Sequence, residues 1–194
     1  MGYQRAMLYF AYGANLNKRA MRQRCPAARP VGAAELRGYK LCFRRWADIV
    51  PAADAHVLGA LWQVTPACIR ALDAFEGEDY RQITVTVAHD GKAVDAMAYI
   101  MTGEQRLAPP DMAYTREIAV GYRDWGFDET ILRRARYDTL NVGPGIAGLA
   151  AAPQHPAPEG DHPPRRRALW DPAAQQSGNV DQLIARGRPK PPRT

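Results

Sequence analysis

From Met7 the chain runs through Leu8, Tyr9, Phe10, Ala11 and Tyr12 without a charge, then breaks at Gly13-Ala14-Asn15 before Leu16. The apolar run predicts a buried strand over 7–12, and the polar positions after it predict a short helix capped by Asn17 and ended at Cys25-Pro26. Residues 36–44 and 56–64 predict two more strands. Thr65-Pro66 then opens a helix, with a capping hydroxyl and a proline in the first turn, where its missing N–H costs nothing. Ile69, Leu72 and Phe75 mark the inner stripe of that helix, and Gly77 supplies a left-handed stop. Two alternating runs, 80–88 and 93–101, flank His89-Asp90-Gly91-Lys92, the preferred chemistry for a two-residue hairpin turn. Asp111 predicts a helix to about Trp125 with Ile118, Tyr122 and Trp125 on one face. Gly126 ends it, and Asp128 opens a last helix toward Tyr137. Strands dominate and helices are inserted between them. The expected fold class is α+β: a mixed, mostly antiparallel curled sheet or small barrel with flanking helices.

The pattern changes after Asn141, where ten of the sixteen prolines fall. A globular domain over 5–141 and a largely irregular Pro/Arg-rich tail over 142–194 are expected, because such a tail cannot bury enough apolar surface to offset its ordering entropy. Ala168–Trp170 and Val180–Ile184 are the tail segments suited to docking on the globular part.

Charge adds an asymmetry. Through Arg45 there are ten Lys or Arg and one acidic residue, whereas 46–142 carries nine basic and fifteen acidic side chains. The basic third suits an anion, whether nucleic acid or a small carboxylate, and equally suits a solvated surface. No apolar run approaches the length of a membrane span, and no signal-peptide pattern opens the chain, so a cytoplasmic protein is expected. The three cysteines, Cys25, Cys42 and Cys68, form no metal-ligand spacing and are expected as buried reduced thiols.

Two features could carry chemistry. The strand–Gly13-Ala14-Asn15–helix junction exposes main-chain N–H groups with little side-chain bulk, a setting for an anion; it is equally a tight turn with a capping asparagine. It is not a P-loop, since no Gly-Lys-Ser/Thr follows. In "LDAFEGEDYR", Glu76 stands at the negative end of a helix dipole. A buried carboxylate there has a raised pKa and can take and return a proton near neutrality; an exposed one is an ordinary surface residue. The four histidines have no ligand spacing, and no nucleophile elbow is present.

Taken together, "YFAYGANL", "GALW", "LDAFEGEDYRQITVTV", "AYIM" and "YTREIAVGYRDWGFDETIL", in that order, resemble the γ-glutamylcyclotransferase-like family over residues 7–137. The resemblance implies a barrel-like α+β fold and release of 5-oxoproline from a γ-glutamyl amide, with no metal or organic cofactor. It implies a small-molecule γ-glutamyl substrate, a catalytic Glu76, a substrate-binding loop of Tyr12, Gly13, Ala14, Asn15 and Leu16, and pocket tyrosines Tyr80 and Tyr114. It places the reaction in glutathione metabolism. Many members carry serine where Ala14 stands, so a hydroxyl contact is absent here while the main-chain cradle is kept. A homodimer is an allowed assembly. Two other readings stay open at this stage: a non-catalytic binding or regulatory module of the same fold, and a nucleic-acid-associated protein, which the basic segments suggest and no nucleic-acid motif supports.

Overall fold

The computed structural model describes residues 7–103 and 106–141. The tail expected over 142–194, with its two docking segments, lies outside the described residues. Five strands form a closed barrel: β1 (Met7–Ala11), β2 (Arg29–Arg44), β3 (Trp46–Val64), β4 (Tyr80–His89) and β5 (Lys92–Met101), in the order β1-β3-β2-β4-β5. Pairing is antiparallel except at the closing seam, where Tyr9 of β1 meets Met97 of β5 in parallel. The α+β barrel expected from the sequence is the fold observed.

The two middle strands are longer than expected. Instead of 36–44 and 56–64, β2 and β3 pair from Arg29↔Gln63 to Arg44↔Trp46 in one long ribbon. The ribbon takes Pro30 and Gly38 into two register shifts, Pro30/Gly32 and Arg37/Tyr39, and pairs Pro51 with Tyr39 beside the second. Arg45 turns the ribbon with a positive φ of 73°. The β4–β5 hairpin follows the sequence closely, with Asp90 and Gly91 both at positive φ (47° and 73°), as a type I′ turn requires.

Helices α1 (Lys18–Arg24), α2 (Pro66–Glu76), α3 (Met112–Asp124) and α4 (Thr130–Asn141) flank the barrel. Asn17 caps α1 by accepting from the Arg19 and Ala20 N–H groups, Thr65 caps α2 through the Cys68 N–H, and Asp111 caps α3 through the Tyr114 N–H. Helix α4 runs four residues past the expected end at Tyr137.

Strand β1 is buried on both faces. Phe10 joins a core with Leu36, Phe43, Leu61, Val87 and the α3 side chains Ile118 and Tyr122. Tyr9 and Ala11 face a second core with Trp62, Met21 of α1 and Cys68 and Leu72 of α2. All three cysteines are buried and unbridged, and burial pushes the Cys25 and Cys42 thiols up to about 12, in keeping with core filler. Among the described residues no helix is long and apolar enough to cross a membrane.

Candidate active site

Where β1 ends, the chain makes a 3₁₀ turn (Ala14–Leu16) and passes through Asn17 into α1. The Leu16 and Asn17 N–H groups bond back to the Gly13 and Ala14 carbonyls at 3.0 and 3.1 Å. The N–H groups of Gly13, Ala14 and Asn15 therefore precede the first internal donor, as at any helix start. The Ala14 N–H faces the Tyr114 hydroxyl. Gly13 has a negative φ (−113°), so glycine is needed here for space rather than for conformation. An added Cβ would lie 3.2 Å from the Ala47 Cβ and 3.4 Å from the Tyr114 hydroxyl. Helix α3 seats the turn: a Cβ on Gly121 would fall 2.4 Å from the Leu16 Cβ and 2.8 Å from the Asn17 nitrogen.

Glu76 is the last residue of α2. It precedes Gly77, whose φ of 67° and ψ of −159° lie outside the left-handed helical stop expected there, in a region only glycine enters readily. Glu76 faces the 3₁₀ turn across a cavity of about 30 Å³ lined by Tyr12, Gly13, Ala14, Asn15, Tyr80 and Tyr114, among others. The Asn15 amide does not cap a helix. Its Nδ2 donates to Glu76 Oε1 at 3.0 Å and to the Tyr9 hydroxyl at 2.9 Å, and its Oδ1 accepts from Arg24 Nη1 at 2.7 Å. Glu76 is half-buried and lines the cavity. Burial raises its carboxyl to about 7 against the opposing pull of Arg24 and the Asn15 hydrogen bond, which places its titration near neutral pH.

The tyrosines form the remaining wall. Tyr80 donates to the Ala47 carbonyl at 2.7 Å, and Tyr114 accepts from the Ala47 N–H at 3.2 Å, so one residue of β3 fixes both rings. Tyr12 donates to the Tyr99 main-chain carbonyl. Burial pushes all three hydroxyls up, so these rings are neutral proton holders around Glu76.

Of the eight residues named from sequence, seven line this cavity and Leu16 does not. Its side chain is wholly buried in the core, its N–H is bonded to Gly13, and its carbonyl accepts from Trp125 Nε1 at 2.8 Å. The sequence reading missed Tyr9, Arg24, Ala47, Phe75 and Tyr99. Tyr9 and Tyr99 lay within quoted motifs, on strand positions taken as packing; Arg24 carried only the weak signal of a basic helix end. Among the described residues, no group of three or more His, Cys, Asp or Glu could hold a metal ion.

A barrel whose first strand delivers a glycine-led turn opposite a helix-end glutamate defines a class. The family model for gamma-glutamyl cyclotransferase, AIG2-like proteins matches residues 9–125, and the chain belongs to that family. It is an enzyme of the γ-glutamylcyclotransferase class. The chain is 31% identical over 139 residues to gamma-glutamylcyclotransferase from Homo sapiens, an alignment covering 63% of this chain and 73% of that one. The corresponding protein of Bos taurus is 31% identical over 137 residues, covering 62% and 72%. A solved gamma-glutamyl cyclotransferase structure superposes with a TM-score of 0.59 at 27% identity, over 75% of this chain and 94% of that one. YkqA from Bacillus subtilis, at 23% identity, shares the fold with a TM-score of 0.58, over 71% of this chain and 55% of its own.

Proposed function

We propose that this enzyme cyclises a γ-glutamyl amide to 5-oxoproline and releases a free amine or amino acid, with Glu76 as the proton carrier. The observation that carries the reading is a half-buried carboxyl titrating near 7, set across one small cavity from the first amides of a 3₁₀ turn.

Ionised Glu76 takes a proton from the substrate's α-amino group as that nitrogen attacks the γ-carbonyl carbon. A C–N bond forms and closes the five-membered ring, and negative charge develops on the carbonyl oxygen. Collapse breaks the original amide C–N bond, and the Glu76 carboxyl returns its proton to the departing amine. The nucleophile belongs to the substrate, so no covalent enzyme intermediate and no outside water are required; the reaction is an acyl transfer with a lyase-type outcome. Proton transfer by a positioned carboxylate is worth about 10²- to 10⁴-fold. A main-chain N–H aimed at the oxyanion adds on the order of 10²- to 10³-fold. Holding the glutamyl chain curled supplies the orientation term. The turn amides suit either the α-carboxylate or the γ-carbonyl oxygen, both of which are anionic or become so. A cytoplasmic setting with γ-glutamyl compounds derived from glutathione fits this substrate class.

The test is incubation of the protein with a panel of γ-glutamyl amino acids and γ-glutamyl amines, reading 5-oxoproline and released amine. Stoichiometric release of both is expected. Binding of the panel without any 5-oxoproline would overturn the catalytic reading in favour of a binding module.

A further inference from the structure

Arg24 is half-buried at the end of α1, with its guanidinium 3.7 Å from the centre of the Phe75 ring. Its Nη1 reaches the amide oxygen of Asn15 at 2.7 Å. We propose that Arg24 is a positioning residue of the active site: by holding the Asn15 oxygen it commits the Asn15 NH₂ group to Glu76 and to Tyr9. This inference rests on the cyclisation reading of the site.

The argument is one of donors and acceptors. An asparagine amide can sit in either of two senses, related by a flip of its O and N atoms. Arg24 has donors only, so it accepts nothing from an NH₂ group. Glu76, when ionised, has acceptors only, so it repels an amide oxygen at 3.0 Å. Both neighbours select the same sense. In that sense the two amide hydrogens have two acceptors, Glu76 Oε1 and the Tyr9 hydroxyl oxygen. Two results follow for chemistry. The hydrogen bond to Glu76 engages Oε1, which leaves Oε2 toward the substrate amine. The Tyr9 oxygen is used as an acceptor, which leaves its own O–H for a partner other than Asn15.

Charge acts in the same direction. Around Glu76 stand Tyr9 from β1, Tyr12 beyond it, Tyr80 from β4, Tyr99 from β5 and Tyr114 from α3, all with raised hydroxyls. Arg24 from α1 is the cation that lowers Glu76. Burial pulls the Arg24 guanidinium down while Glu117 of α3 and Glu76 hold it up, so two carboxylates and an aromatic face keep this cation in place. Without it, Glu76 would hold its proton to higher pH and would no longer be the ionised base at neutrality.

The test compares wild type with Arg24→Met, which keeps an unbranched stem of similar bulk, and with Arg24→Lys, which keeps the charge. In Arg24→Met the acidic limb of the kcat/KM profile should move up by about one unit, with kcat at pH 7 reduced about 5-fold and KM nearly unchanged. Arg24→Lys should return the limb toward the wild-type position. A ¹³C NMR titration of the Glu76 carboxyl, identified by its loss in Glu76→Gln, should shift by the same amount. That titration needs no turnover, so it decides the matter even if no substrate of the panel is cyclised, an outcome that counts against the proposed reaction alone. A folded Arg24→Met protein whose Glu76 titrates where the wild type's does would overturn the proposal. Should Arg24→Met fail to fold, Arg24→Leu, which likewise removes both the donor and the charge, carries the same expectation and the same refutation.

Discussion

Asp48, buried near the turn of the β2–β3 ribbon, and Glu76, half-buried at the end of α2, are both carboxylates raised by desolvation. Their surroundings differ. Asp48 is 2% exposed, accepts from the Met101 N–H at 3.0 Å and pairs with Arg44 at 3.4 Å. Both of its oxygens are engaged, and its partners tie the ribbon to β5. Glu76 has one described hydrogen bond, a cation acting through an intermediary amide, and a face on a cavity. On the function proposed for Glu76, the comparison separates a structural carboxylate from a reactive one. Burial supplies the raised pKa in either case, but only the side chain that keeps an unspent oxygen toward open space can exchange a proton with something else.

The sharpest way to break this comparison is to remove each carboxylate and see which loss appears. Glu76→Gln should lower kcat by on the order of 10²- to 10⁴-fold while a calorimetric titration still detects γ-glutamyl substrate; full activity would end the assignment. Asp48→Ala should instead cost about 3–5 kcal/mol in urea unfolding, because it strands the buried Arg44 charge, and should affect turnover per folded molecule far less. Gly13→Val sharpens the contrast from the opposite wall. Its Cβ meets Ala47 at 3.2 Å and its branches extend into the cavity, so substrate binding should weaken by about 10²-fold, read as a raised KM.

The smallest effect concerns stability against pH. The folded carboxyl of Glu76 titrates at about 7 and an unfolded one at the ordinary 4.5. Between these values the folded state binds more protons than the unfolded, so this group's contribution is full below the lower value and is lost as pH rises through the upper. Glu76→Gln removes that loss. Its melting temperature should exceed the wild type's by about a few degrees at pH 8, with the gap closing toward pH 4.

Local signals carried most of the architecture. Asn17, Thr65 and Asp111 each announce a helix because a short polar side chain can satisfy a nearby N–H, and Asp90-Gly91 announces a hairpin because both residues tolerate positive φ. The long ribbon was not legible: register shifts absorb Pro30 and Gly38, and a buried ion pair makes Asp48 a strand residue, and neither effect is local in sequence. The site divides the same way. Glu76 and the Gly13 turn could be read because each is marked by its own helix end. The contact that joins them, Asn15 to Glu76, spans 61 positions. Arg24 acquires its role only from that contact, and Tyr9 and Tyr99 only from the way the barrel closes. Leu16 shows the converse error, since membership of a contiguous motif says nothing about which way a side chain turns.

Helix α3 has a mechanical consequence. Gly121 presses on the chain just after the first strand, and Tyr114, two turns earlier on the same rod, forms the adjoining part of the cavity wall. With about 1.5 Å of rise per residue, the two points are held on the order of 10 Å apart by a single hydrogen-bonded cylinder. The turn and the wall beside it are thus bolted to one bar. When that bar sways against the barrel, the bed and the wall travel together, and the gap between them keeps its width through motions that would spoil a vice assembled from two separate parts.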